Sequence, residues 1–156
     1  EQDSRYTDQI EIKEVYESIL PRVYVDKDLI HQVLWNLFIN SLEAMPHGGQ
    51  IKIMVRKTTL FLRDAVEVVI ADTGTGIPSE ELGKVFEPFY TTKAEGTGLG
   101  LSMVQRIIDD HGGTIDVKSK EGKGTTFYIK LHGPIGDENE AVNNNFSRMI
   151  KDYGRR

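Results

Sequence analysis

Apolar and polar positions along this chain follow two periods, and the switch between them marks out its elements. Ile10, Ile12 and Val15 alternate with polar neighbours, which predicts an opening strand that ends before Pro21. Over residues 28–45 the period changes. Ile30, Val33, Leu34, Leu37, Ser41, Leu42 and Met45 recur at helical spacing, with Asp26 as the N-cap and Pro46, Gly48 and Gly49 as the stop. Residues 50–59 and 65–71 predict two strands, the second apolar enough to lie centrally in a sheet. A short helix is expected at 79–85. A longer one is expected at 99–111, with Met103, Val104, Ile107 and Ile108 as its buried stripe and Gly112 ending it. Residues 114–119 and 125–131 then form a hairpin through Glu121, Gly122, Lys123 and Gly124. Helices and strands segregated in this way predict an α/β two-layer sandwich, a mixed sheet packed on three helices.

The pattern changes after Leu131. Gly133, Pro134 and Gly136 resemble a linker, and Asn143 to Asn145 are polar, yet Val142, Phe146, Met149, Ile150 and Tyr153 return to helical spacing. The chain therefore divides into a domain at 1–132 and a linker with an amphipathic helical tail at 133–156. That tail either docks on its own domain or serves a neighbouring one.

Composition narrows the function classes. A net charge of −5 argues against a nucleic-acid partner, because neutralising phosphates needs clustered Lys and Arg. The absence of cysteine removes disulfides, thiolate nucleophiles and Cys-based zinc sites. No apolar run reaches the roughly 18 residues of a membrane span. A cytoplasmic domain without membrane contact of its own is expected. The chain begins with Glu rather than Met, as a piece of a longer protein would, whether or not that parent is membrane-anchored.

Three clusters carry chemistry. The first is FEPFYTTKAEGTGLGL at 86–101, an aromatic loop, a Thr-Thr-Lys turn and glycines at 96, 98 and 100, followed at once by a helix. Such glycines let backbone N–H groups approach a ligand, and a helix N-terminus attracts negative charge. Together they predict a mobile lid over nucleotide phosphates. The second is the pair Asn36 and Asn40, one helical turn apart, with Glu43 on the same stripe. Asn is uncommon in mid-helix, and an amide oxygen can ligate Mg²⁺ beside phosphate oxygens; a plain solvated face would also hold such residues. The third is DTGTGI, in which Asp72 ends the central strand, Gly74 and Gly76 turn the chain, and Ile77 offers an apolar contact. A carboxylate there can accept from an exocyclic amine such as adenine's, although ordinary turns use the same residues.

In chain order, the helix with Asn36 and Asn40, then DTGTGI, FEPFYTT and GTGLGL resemble the ATP-binding catalytic domain of sensor histidine kinases, in the superfamily of gyrase, heat-shock chaperone, histidine kinase and mismatch-repair ATPases. The resemblance covers about residues 10–131. FEPFYTTK with its short gap to GTGLGL is most similar to the nitrogen-regulation class. It implies the Bergerat-type ATP-binding fold and, as cofactors, ATP and Mg²⁺. By position, Asn40 matches the magnesium asparagine and Asn36 the one that supports the phosphates. Asp72 matches the adenine aspartate, with Gly74, Gly76 and Ile77 at the pocket floor. Phe86 and Phe89 match the lid's aromatic box. Gly96, Gly98 and Gly100 match the phosphate-facing glycines, with Thr92, Thr97, Leu99 and Leu101 among them. Lys93 is the cation for the β- or γ-phosphate. Many members carry a Lys or Arg and then an aromatic residue where this chain has Glu43 and Ala44; the departure shifts the phosphate contact toward Lys93 and, second to it, Arg106.

Related ATPases place a water-activating Glu one turn before the magnesium asparagine. Here that position is Asn36, an amide that cannot act as a base. The resemblance therefore implies an ATP:protein-histidine phosphotransferase whose acceptor histidine lies on a separate dimerising hairpin, with a response regulator receiver domain downstream. His31, His47, His111 and His132 look like surface or capping residues rather than acceptors. The alternative is an anti-sigma-factor-like module, which shares the fold and phosphorylates Ser or Thr.

Overall fold

The computed structural model describes residues 9–94 and 96–133, and the expected tail helix lies outside them. Five strands form one mixed sheet: β1 (Ile10–Tyr16), β2 (Gly49–Leu60), β3 (Arg63–Asp72), β4 (Thr114–Lys120) and β5 (Gly124–His132). Their spatial order is β1-β2-β3-β5-β4. β1 runs parallel to β2 and the other pairs are antiparallel. The apolar strand β3 is central, as its composition requires.

Helix α1 (Lys27–Glu43) crosses between β1 and β2, and α2 (Gly100–Asp110) between β3 and β4. Asp26 caps α1, its carboxylate accepting from the amides of Asp28 and Leu29. Both helices lie on the sheet face made by Ile51, Ile53, Val66, Ile70, Phe127, Ile129 and Leu131, and their buried stripes close the core. α2 ends in a Schellman turn: Gly112, at φ +64°, and Gly113 donate to Asp109 and Ile108. On the opposite face of the sheet, the buried Glu67 carboxylate is neutralised by Arg56 and Lys130.

Three expectations need correction. The helix expected at 79–85 is a single 3-10 turn at Leu82–Lys84, so among the described residues the sheet packs on two α-helices and that turn. Too few apolar residues recur there to dock a longer helix. Met103 is 36% exposed and stands outside α2's buried stripe, while Leu101 packs against the core instead. β2 and β3 extend to a two-residue turn in which Phe61 and Leu62 hold positive φ, a turn without the usual Asn-Gly signature. His111 does cap α2: its Nδ1 faces the Ile107 carbonyl at 2.6 Å, while its Nε2 accepts from the Asp26 amide at 2.9 Å. A neutral imidazole with its proton on Nδ1 satisfies both contacts, and it joins the C-terminus of α2 to the N-terminus of α1.

Candidate functional site

The end of β3, the polar stripe of α1, the N-terminus of α2 and the loop at 86–99 meet at one edge of the helical layer. Asp72 is the best-fixed group among them. It is 8% exposed, Oδ1 accepts from the amides of Gly74 (2.9 Å) and Thr125 (3.2 Å), and Oδ2 accepts from the Ser41 hydroxyl (3.1 Å). Burial pushes its pKa above the ordinary carboxylate value, opposed by these three hydrogen bonds. Oδ2 retains acceptor capacity beyond Ser41, which is what an exocyclic amine needs.

The turn after Asp72 is clamped from two sides. A Cβ at Gly74 would come within 2.7 Å of Ala44 at the C-cap of α1, and the Thr75 amide donates to the Ala44 carbonyl. Gly76 sits at φ +71°, and a Cβ there would lie 2.1 Å from the Lys120 carbonyl oxygen. The Ile77 amide donates to Ser119 Oγ. Both glycines are therefore dictated by close backbone approach.

On α1, Asn36 and Asn40 are half-buried. Asn36 Nδ2 donates to the Gln32 carbonyl, which leaves Oδ1 over Gly100, 3.3 Å from where a Cβ would stand. Gly100 opens α2, whose cap residue Leu99 makes no side-chain hydrogen bond to the first turn. The free amides of that turn and the helix dipole favour an anion beside Asn36. Gly100 and Leu101 are half-buried at this end of the helix, and Leu99 is exposed.

The lid is fixed at its base. Phe86 is half-buried and meets Phe127 edge-on, with centroids 6.4 Å apart and an interplanar angle of 76°. Phe89 is 77% exposed and sits at φ +65°, a strained conformation for a bulky residue. Its amide donates to the Gly98 carbonyl, and Gly98, at φ +69°, approaches the Phe89 backbone so closely that a Cβ would fall 2.3 Å from its carbonyl carbon. The two aromatic residues expected to act as one box therefore divide into a core anchor and an exposed ring. Thr92, Gly96 and Thr97 are exposed, and the Thr97 hydroxyl accepts from the Leu99 amide. Lys93 reaches back to α1, where its ammonium donates to Asn40 Oδ1 at 3.2 Å and pairs with Glu43. Arg106 faces away, 84% exposed and paired along its own helix with Asp110.

Residues 25–135 match the family described as histidine kinase-, DNA gyrase B- and HSP90-like ATPases. The chain belongs to that family. Sensor histidine kinase ZraS of Klebsiella oxytoca is 44% identical over 121 residues, covering 76% of this chain and 26% of that protein. The catalytic domain of histidine kinase ThkA superposes with a TM-score of 0.69 at 38% identity, over 80% of this chain and 79% of that one. Full-length ShkA in complex with AMPPNP superposes at 0.68 with 27% identity, over 81% of this chain and 26% of that one. This histidine kinase ATPase domain thus has the fold that the resemblance implied, and it spans about a quarter of the length of ZraS and of full-length ShkA. Among its described residues no helix is long and apolar enough to cross a membrane.

Sequence pattern alone misses part of the site. Ser41 reads as a small residue tolerated in an apolar stripe, yet it is 1% exposed and donates to Asp72. Thr125 and Ser119 read as strand residues. They bond each other at 2.8 Å and contribute the amide on Asp72 and the hydroxyl under Ile77. A hydroxyl among otherwise apolar buried positions is the signal that would have exposed Ser41.

Proposed function

We propose that this domain binds Mg-ATP and presents its γ-phosphate to a histidine on a separate dimerising helical hairpin, from which a response regulator receiver domain takes it. The observation that carries the proposal is the Ser41–Asp72 hydrogen bond. It ties the buried carboxylate suited to adenine directly to the helix that carries Asn36 and Asn40, so base and phosphate contacts are held on one rigid unit.

In this proposal Asp72 accepts from the adenine amine, with Gly74, Gly76 and Ile77 shaping the floor beneath the base. Asn36, Gly98, Gly100 and the first amides of α2 face the phosphates. Asn40 presents its amide oxygen to the metal. That oxygen accepts from a cation, the Lys93 ammonium, which supports placing positive charge there. When bound, magnesium would neutralise negative charge on the phosphates. Asn36 offers no basic group to activate water, and Glu43 lies one turn beyond Asn40 rather than one turn before it, where a water-activating Glu would stand. The nucleotide is thereby held for a protein acceptor. The short lid supports a nitrogen-regulation-like class, and the domain works in the cytoplasm whether or not its parent is anchored.

The test mixes the domain with an isolated histidine hairpin and Mg-ATP and asks for phosphorylation of the hairpin. An acid-labile phosphoryl group on its histidine is expected. Acid-stable phosphorylation of a Ser or Thr would instead support the anti-sigma-factor-like alternative.

A further inference from the structure

The structure gives Glu43 a partner 50 residues away. The Lys93 ammonium forms an ion pair with Glu43 and in the same position donates to Asn40 Oδ1 at 3.2 Å. Asn40 and Glu43 lie one turn apart on α1, so their oxygens form a two-point cradle for one cation. We infer that Glu43 is a positioning residue: it seats the lid's Lys93 on Asn40 while the site is empty, and the metal–nucleotide must displace that ammonium to enter.

The chemistry is exclusive. An ammonium carries three donors and no acceptor, so it needs oxygens around it. Mg²⁺ needs the same amide oxygen at about 2.1 Å and holds its ligands in a near-octahedral shell. A metal ion on that oxygen would repel an ammonium hydrogen-bonded to it, and a neutral amide carries no charge to offset the repulsion. Lys93 is therefore released from Asn40 as the metal–nucleotide arrives, and the lid is freed at the step that delivers phosphates for that same ammonium to meet.

The strength of the latch suits this role. The Lys93 and Glu43 side chains are 47% and 49% exposed, which places the pair among surface ion pairs that shift an equilibrium by about two- to fivefold. A latch of that size biases the lid without sealing the site. The second half of the inference, displacement by metal, rests on Asn40 facing the metal in the proposed function. The first half does not.

The experiment has two arms that separate these. In the nucleotide-free domain, hydrogen exchange at residues 91–94 is compared between wild type, Glu43→Gln, Lys93→Met and the double variant, with core strand β3 as the folding control. Expected is a roughly two- to fivefold acceleration in each single variant and no further gain in the double. The swapped pair Glu43→Lys with Lys93→Glu should recover slow exchange. Unchanged lid exchange in Glu43→Gln overturns the latch. In the second arm, ADP binding is titrated with Mg²⁺. Glu43→Gln should lower the half-saturating Mg²⁺ concentration by a similar factor, and this effect should vanish in the Lys93→Met background. An effect that persists there means Glu43 repels the phosphates directly, and the displacement half fails. If ADP binding ignores Mg²⁺ in every variant, the proposed function fails while the exchange arm still decides the latch.

Discussion

Replacing Asp72 with Asn separates two properties that the same carboxylate serves. The substitution is isosteric. Asn Oδ1 can accept from the Gly74 and Thr125 amides as Asp Oδ1 does now, and Nδ2 can donate to the Ser41 oxygen. The fold is therefore preserved, but the free acceptor edge becomes a donor and meets the adenine amine donor to donor. A hydrogen bond to a charged acceptor contributes about 1.5–3 kcal/mol, so ATP affinity should fall roughly ten- to a hundredfold. Stability should move the other way. Burial raises the Asp72 pKa above the ordinary value of 3.8, so the unfolded chain gives up this proton more readily than the folded one. A raised folded-state pKa means that stability is lost as pH climbs from 3.8 through the raised value. Asn carries no such dependence, so the variant's melting temperature should gain on wild type between mildly acidic and neutral pH. Calorimetry with ATP and GTP, alongside thermal melts at several pH values, reads both effects. Wild-type protein that binds the two nucleotides equally, or a variant that keeps its ATP affinity, would refute the adenine assignment. A melting difference that shrinks as pH rises would refute the electrostatic account.

Asn40→Ala should abolish phosphotransfer to a supplied histidine hairpin with little change in melting temperature, since Asn40 lies on the polar stripe and its loss opens no core cavity; near-normal transfer would remove Asn40 from the metal role. The isolated domain should hold ATP almost unhydrolysed, because general-base catalysis typically adds 10²–10⁴-fold and position 36 is an amide. Robust magnesium-dependent phosphate release without a histidine partner would favour an ATPase. Gly98→Ala should break the base of the lid, because the residue sits at φ +69° and the new Cβ would strike the Phe89 backbone. Faster exchange at the Phe89 amide with unchanged exchange in β3 is the expected signature, and protected exchange at Phe89 would count against the steric argument.

Much of this molecule was legible because its local signals agree with one another. Asp26, the apolar stripe of α1 and the glycines beyond it all place the same helix, and the run from Ala65 to Ala71 could only be a central strand. Legibility ended where contacts join distant residues. Ser41 looks unremarkable until β3 brings Asp72 beside it, and Glu43 looks like a misplaced carboxylate until the lid brings Lys93 to it. Met103 fits the helical period of α2, but it lies at the margin of the stripe, and periodicity does not say how wide the covered face is. The turn at Phe61 and Leu62 carries no turn signature at all; strand pairing on either side imposes it. The motif order did carry the site itself, because glycines at 74, 76 and 98 answer to backbone contacts that no other residue satisfies.

The bond between the Phe89 amide and the Gly98 carbonyl has a consequence for how lids of this family can vary. It cinches the loop at its neck, so the chain inside is a closed ring whose entropy depends on its contour length rather than on what lies outside. Ring closure scales with the logarithm of length, and doubling the loop costs only about 0.6 kcal/mol. Residues can therefore be added inside the neck with little penalty, while the same insertion between Phe86 and Phe89, or between Gly98 and α2, would move an anchor. Length is cheap within the ring and expensive outside it, so this fold can exchange one lid for another while leaving the floor under Asp72 in place.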